Sequence, residues 1–202
     1  MTDLDTVLRC LGTEYEGPGE PTAEAMLSAF RTVIRPRSAV YVSSPITTGE
    51  NYLDWRATNQ DDLVALNRSF QSKVIDANIK RADGVVKRTR ARFWMRPVID
   101  PTMLEDRPDW EQHHYHSFWL AVITEFVGDI IFTDSWQFSN GCVLEYLQAR
   151  KFGVPALTER YETLSAGSAE LLIANALDRY SKVGIEMPII VEGLTLLQSR
   201  EN

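Results

Sequence analysis

The sequence predicts an α/β protein with a doubly wound parallel sheet. Short apolar runs bounded by turn residues read as buried strands: Ala39-Val-Tyr-Val-Ser-Ser44, Val98-Ile99, Asp129-Ile-Ile-Phe-Thr-Asp134 and Val154-Pro-Ala-Leu157. Longer stretches with apolar residues at helical spacing lie between them, and such alternation implies parallel strands with helices on both faces. The clearest unit is the Asp129 strand, then Ser139-Asn-Gly141 as a turn with an N-cap residue, then a helix from Gly141 to Phe152 closed by Gly153.

The elements follow in order. Residues 3 to 11 are expected to form a short amphipathic helix through Leu4, Val7, Leu8 and Leu11. Gly17-Pro-Gly-Glu-Pro21 is a loop, and Thr22 caps a helix carrying Met26, Leu27, Phe30 and Val33 that stops before Pro36. Pro45 ends the first strand, and Ile46 to Glu50 reads as a polar loop. A helix is expected from Asp61 to about Ala82, with Leu63, Leu66, Phe70, Val74, Ile75 and Ile79 on one face. Pro101 to Glu111 reads as loop, and Ser117 to Val127 as a helix with Phe118, Val122, Ile123 and Phe126 inward. Residues 167 to 182 and 188 to 199 are two closing helices. The whole, 1–202, reads as a single domain: a helical extension over 1–36, an α/β core over 37–160 and closing helices over 161–202.

Composition narrows the class. The chain has 202 residues, 44% hydrophobic and 24% charged, which suits a globular protein with a sizeable core. Its net charge of −7 argues against a dedicated nucleic-acid binder, whose affinity comes largely from phosphate neutralisation. Lys80, Arg81, Lys87, Arg88, Arg90 and Arg92 form a local basic stretch, read as a solvated helix end. No apolar run is long enough to span a bilayer. The two cysteines, Cys10 and Cys142, make neither a disulfide framework nor a metal knuckle, which points to a reducing, cytoplasmic setting. The histidines cluster in His113-His-Tyr-His116 without a supporting Cys or Asp pattern, so neither a metal nor another cofactor is expected.

Chemistry is expected at the carboxyl ends of the strands, where open α/β sheets bind ligands. The first strand and the Asp129 strand both end there in polar turns. The helix start at Ser139-Asn140-Gly141 favours an anion, and Glu145, about a turn and a half in, can face the same crevice. Tyr41 can reach Glu145 if the two strands are neighbours. Ser43, Ser44, Pro45, Ile46, Thr47 and Gly49, with Thr48, offer hydroxyls and backbone N–H groups suited to phosphate or sugar oxygens. Trp136 is a candidate to stack on a nucleobase.

The Tyr41-Val-Ser-Ser-Pro-Ile46 start, the Asp129 strand, the Ser139-Asn-Gly-Cys-Val-Leu-Glu145 elbow and Gly153-Val-Pro155 together resemble the nucleoside 2-deoxyribosyltransferase superfamily over roughly residues 39 to 157. The resemblance is nearest to its nucleoside 5′-monophosphate N-glycosidases. It implies a flavodoxin-like fold, Glu145 as nucleophile and Tyr41 as the tyrosine that positions it. Glu145 would attack the anomeric carbon through an oxocarbenium-like transition state, the base would leave, and water or a second base would resolve the glycosyl-enzyme. Both outcomes, and both ribose and 2-deoxyribose, stay open. Relatives that act on free nucleosides carry an aspartate at the position of Ser139. A serine there suits a phosphate, so the expected substrate is a nucleoside 5′-monophosphate. Relatives also build sites at subunit interfaces, which implies a homo-oligomer, a dimer or larger.

The sequence departs from the family in one respect. The catalytic aspartate on the helix before the Asp129 strand would fall near Trp119 to Ala121, where none stands. Asp109, Glu111 and His116 are the candidates to replace it, and His116 is the best placed, with a pKa near 6.5 if unperturbed. Two further readings remain: a non-catalytic nucleotide-binding or sensing module, and a nucleic-acid-associated protein using residues 80 to 92.

Overall fold

The computed structural model describes residues 21–58 and 69–199. The helix expected over residues 3 to 11 and the opening of the one expected from Asp61 lie outside these residues. In chain order the described elements are α1 (Pro21–Val33), β1 (Ala39–Ser43), α2 (Glu50–Thr58), α3 (Asp76–Arg92, entered through a π turn at Gln71–Ile75), β2 (Val98–Ile99), α4 (Gln112–Phe126), β3 (Val127–Phe132), α5 (Asn140–Lys151), β4 (Ala156–Thr158), α6 (Ala166–Lys182) and α7 (Pro188–Ser199).

The sheet runs β2-β1-β3-β4 and every pairing is parallel. This is a flavodoxin-like α/β fold with added terminal helices, α1 before the sheet and α6 and α7 after it. Side chains alternate across β1. Val40 and Val42 pack with Ile131 and with Val85 and Val86 of α3 on one face. Tyr41, Ile130 and Phe132 join the larger core formed with α4 and α5 on the other.

The register places Tyr41 opposite Ile130 and Ser43 opposite Phe132, so β1 and β3 deliver their last residues to one level. At the opposite end a bulge shifts the pairing between Ala39 and Val40, across from Gly128. A Cβ at Gly128 would stand 2.3 Å from the Arg37 carbonyl oxygen, so only glycine lets β3 leave α4 this close to the chain entering β1. Arg96 fastens this end, pairing with Asp129 and donating to the Ser38 and Ala39 carbonyls at 2.8 and 3.0 Å.

Several boundaries differ from expectation for local reasons. Glu50–Thr58 is helical although its sequence is polar, with Leu53 as its buried residue. α3 continues ten residues past Ala82 because Val85, Val86 and Thr89 extend its buried stripe. α4 starts at Gln112, ahead of Ser117, because Glu111 and His114 form a reciprocal capping box. His114 Nδ1 accepts there from the Glu111 N–H at 2.9 Å.

Candidate functional site

Glu145 sits inside the crevice at the carboxyl ends of β1 and β3. Its carboxylate is buried and accepts one short hydrogen bond on each oxygen: Tyr41 donates to Oε1 and Ser43 donates to Oε2, both at 2.6 Å. Tyr41 and Ser43 are two apart on β1 and therefore point to the same face. Glu145 is the sixth residue of α5, whose start is set by Ser139 capping the Cys142 N–H at 3.5 Å.

Burial raises the Glu145 carboxyl to about 7, against the opposing pull of the Ser43 and Tyr41 hydrogen bonds. Burial, with the nearby carboxylate, holds the Tyr41 phenol well above its usual range, so it stays protonated as a donor. Burial also raises the Cys142 thiol, with Glu145 adding to the effect, so this cysteine stays a thiol.

Ser43 was expected among the phosphate-contacting residues. It faces the carboxylate instead, because alternation along β1 turns its side chain to the same α5-facing side as Tyr41. Ser44 begins the loop proper, and its Oγ accepts from Thr133 at 3.2 Å. The loop through Pro45, Ile46, Thr47 and Gly49 is shaped by Asn78, a buried residue of α3. Its amide donates to the Ile46 and Thr48 carbonyls at 2.9 and 2.7 Å and accepts from Asn51 at 2.8 Å. Gly49 takes a φ of +90° to close the loop. Its N–H reaches the Phe138 carbonyl at 3.4 Å, which also accepts from Tyr180 of α6 at 2.7 Å. The loop and the Ser139 elbow are thus tied to one another at Phe138. Sequence reading missed Asn78 and Tyr180. Neither carries a local signal, because each acts across a long sequence separation.

At the elbow itself Ser139 is buried, and Asn140 Oδ1 is buried with no hydrogen-bond partner among the described residues. Gly141 leaves room for His116, whose Nε2 would be 3.5 Å from a Cβ there. His116 therefore lies beside the start of α5. Burial, with His113 adding to it, lowers its imidazole to about 4, so it is uncharged at neutral pH. Its pKa therefore lies well below the value near 6.5 of an unperturbed histidine. Asp109 faces Arg107 at 3.6 Å, and Glu111 is spent on the α4 cap.

Trp136 is corrected from stacking platform to core. It is 3% exposed and packs against Phe132 and Tyr146 with ring centroids 4.9 and 5.1 Å away. The aromatic ring that does border the carboxylate assembly is Trp119 of α4, half-buried and edge-on to Tyr41 at 5.8 Å. Its place in the sequence is the one where the family resemblance implies an aspartate, and nothing local marks it as a ring beside Tyr41.

Elsewhere, the basic residues of α3 lie exposed on its outer side, with Arg81 paired to Asp134 at 2.7 Å and Lys87 to Asp83 at 2.6 Å. Among the described residues no cluster of three His, Cys, Asp or Glu side chains could hold a metal ion. No described helix is long and apolar enough to cross a membrane. Comparison with family models, curated proteins and solved structures returned no match.

Proposed function

We propose that this protein cleaves the N-glycosidic bond of a nucleoside 5′-monophosphate, with Glu145 as nucleophile. The carrying observation is the buried Glu145 carboxylate held on both oxygens by Tyr41 and Ser43 at the switch between β1 and β3. A carboxylate raised to about 7 is less stabilised than one in water and is ionised in about half the molecules at neutral pH, a combination suited to nucleophilic attack. Tyr41 and Ser43 hold it in one orientation and leave each oxygen a free lone pair.

The sugar phosphate fits alongside. The α5 N-terminus, Ser139 and the Ser44 to Gly49 loop converge through Phe138, giving a donor-rich wall for a 5′-phosphate. The unpartnered Asn140 amide oxygen suits a sugar hydroxyl. In the reaction, a Glu145 oxygen bonds to the anomeric carbon as the base departs, and water then releases ribose or deoxyribose 5-phosphate.

The test is chromatographic detection of free base from a panel of ribo- and deoxyribonucleoside monophosphates, run with wild type and Glu145→Ala. Base release by wild type alone is expected. Equal release by the variant removes Glu145 from the chemistry. Tight binding of a monophosphate without release identifies the non-catalytic module instead.

A further inference from the structure

The surroundings of the carboxylate bear on which base it can release. Both hydrogen-bond partners of Glu145 are uncharged hydroxyls, so the structure buries an acid among neutral groups. A buried carboxylate of this kind is complemented by a cation. The ring beside the assembly is Trp119, half-buried, edge-on to Tyr41 and packed on Phe118 at 4.7 Å. An indole packed on the tyrosine that holds a carboxylate suits a flat cationic ring, through cation–π attraction and charge. One helical turn before Trp119 on the same helix, His116 is kept uncharged by burial. A neutral nucleobase leaves readily only when a proton reaches it. A base that is already cationic leaves without one.

We propose, building on the glycosidase reading, that the site takes nucleotides with a cationic base, the pyridinium N-ribosyl 5′-monophosphates, with Trp119 as the wall that holds the ring. A Glu145 oxygen forms a bond to C1′, and the C1′–N bond breaks. Its electron pair stays on the ring nitrogen, so the pyridinium departs as a neutral pyridine. No proton moves in this step and no oxidant or reductant is needed. Water then adds to C1′, displacing Glu145 and giving one proton to solvent. Trp119 touches the departing ring, whereas Tyr41 acts through Glu145.

The experiment compares nicotinamide mononucleotide with the adenosine, guanosine, cytidine and uridine monophosphates and their 2′-deoxy counterparts. The expected kcat/KM for the cationic substrate exceeds the others by about 100-fold, the lower range for a required acid. Trp119→Leu is expected to raise KM for nicotinamide mononucleotide by about 10-fold, in line with a desolvated cation–π contact, while Trp119→Phe keeps most of the affinity. A merely structural role would weaken both substrate types alike. Binding of N-methylnicotinamide cation against neutral nicotinamide to the wild type provides a measurement independent of any variant, and the cation is expected to bind more tightly. Release from neutral-base nucleotides at equal or greater efficiency, or equal affinity for the two nicotinamides, overturns the cationic preference and leaves the glycosidase reading standing. Release from none of the panel overturns both.

Discussion

Glu145→Gln should make the protein more stable at alkaline pH while removing its chemistry. Burial lifts the carboxyl from 4.5 to about 7, so the folded state favours the protonated form more strongly than the unfolded chain does. The sign follows from proton linkage. Below the unfolded value both states are protonated and no penalty exists. As pH climbs from there, the unfolded state ionises first and gains stability, and the penalty is complete once pH passes the folded value. The rise from 4.5 to about 7 corresponds to a penalty of about 3 kcal/mol, at about 1.4 kcal/mol per tenfold change in ionisation. Glutamine keeps the shape of the protonated acid. Its carbonyl accepts from Tyr41, and its amide donates to the Ser43 hydroxyl, which then acts as acceptor. The variant therefore escapes the penalty. Urea or thermal melts at about pH 4 and about pH 8.5 provide the assay. The two proteins should coincide at the lower pH. At the higher one the variant should melt later by about 6–12 °C, the shift that about 3 kcal/mol produces in a domain of this size. A variant equally or less stable at alkaline pH would show that the carboxylate is not held in a desolvated site, and the nucleophile assignment would lose its physical basis.

Two further outcomes follow from the same geometry. Ser139→Asp places a negative charge at the start of α5. Opposite a phosphate at about 4 Å, a unit charge costs about 4 kcal/mol at an effective dielectric of about 20. Monophosphate affinity in a calorimetric titration should drop about 1,000-fold, with free nucleoside little changed. Equal losses for both ligands would remove the phosphate from this elbow. Gly128→Ala drives a Cβ to 2.3 Å from the Arg37 carbonyl oxygen, a backbone atom, so the chain beside the β1–β3 bulge must shift. A loss of about 3 kcal/mol or more is expected by chemical denaturation, and an unchanged midpoint would show that the bulge relaxes freely.

The local pattern of the chain determined the strand–turn–helix unit that carries Glu145. Apolar residues from Ile130 to Phe132 have no polar face to show water, Ser139 caps the next helix, and Gly153 takes the left-handed turn that ends it. These are interactions among residues close in sequence, so spacing alone reveals them. The alternation of such units likewise determined the parallel sheet. Tertiary structure decided the rest. Ser43 meets Glu145 because α5 packs over the face of β1 that Ser43 shares with Tyr41. Asn78 shapes a loop 30 residues away. Trp136 disappears between Phe132 and Tyr146, and Trp119 comes to lie against Tyr41. The rise of the Glu145 carboxyl and the fall of the His116 imidazole belong to the same category. Desolvation is set by every atom that packs around a group, and most of those atoms come from distant parts of the chain.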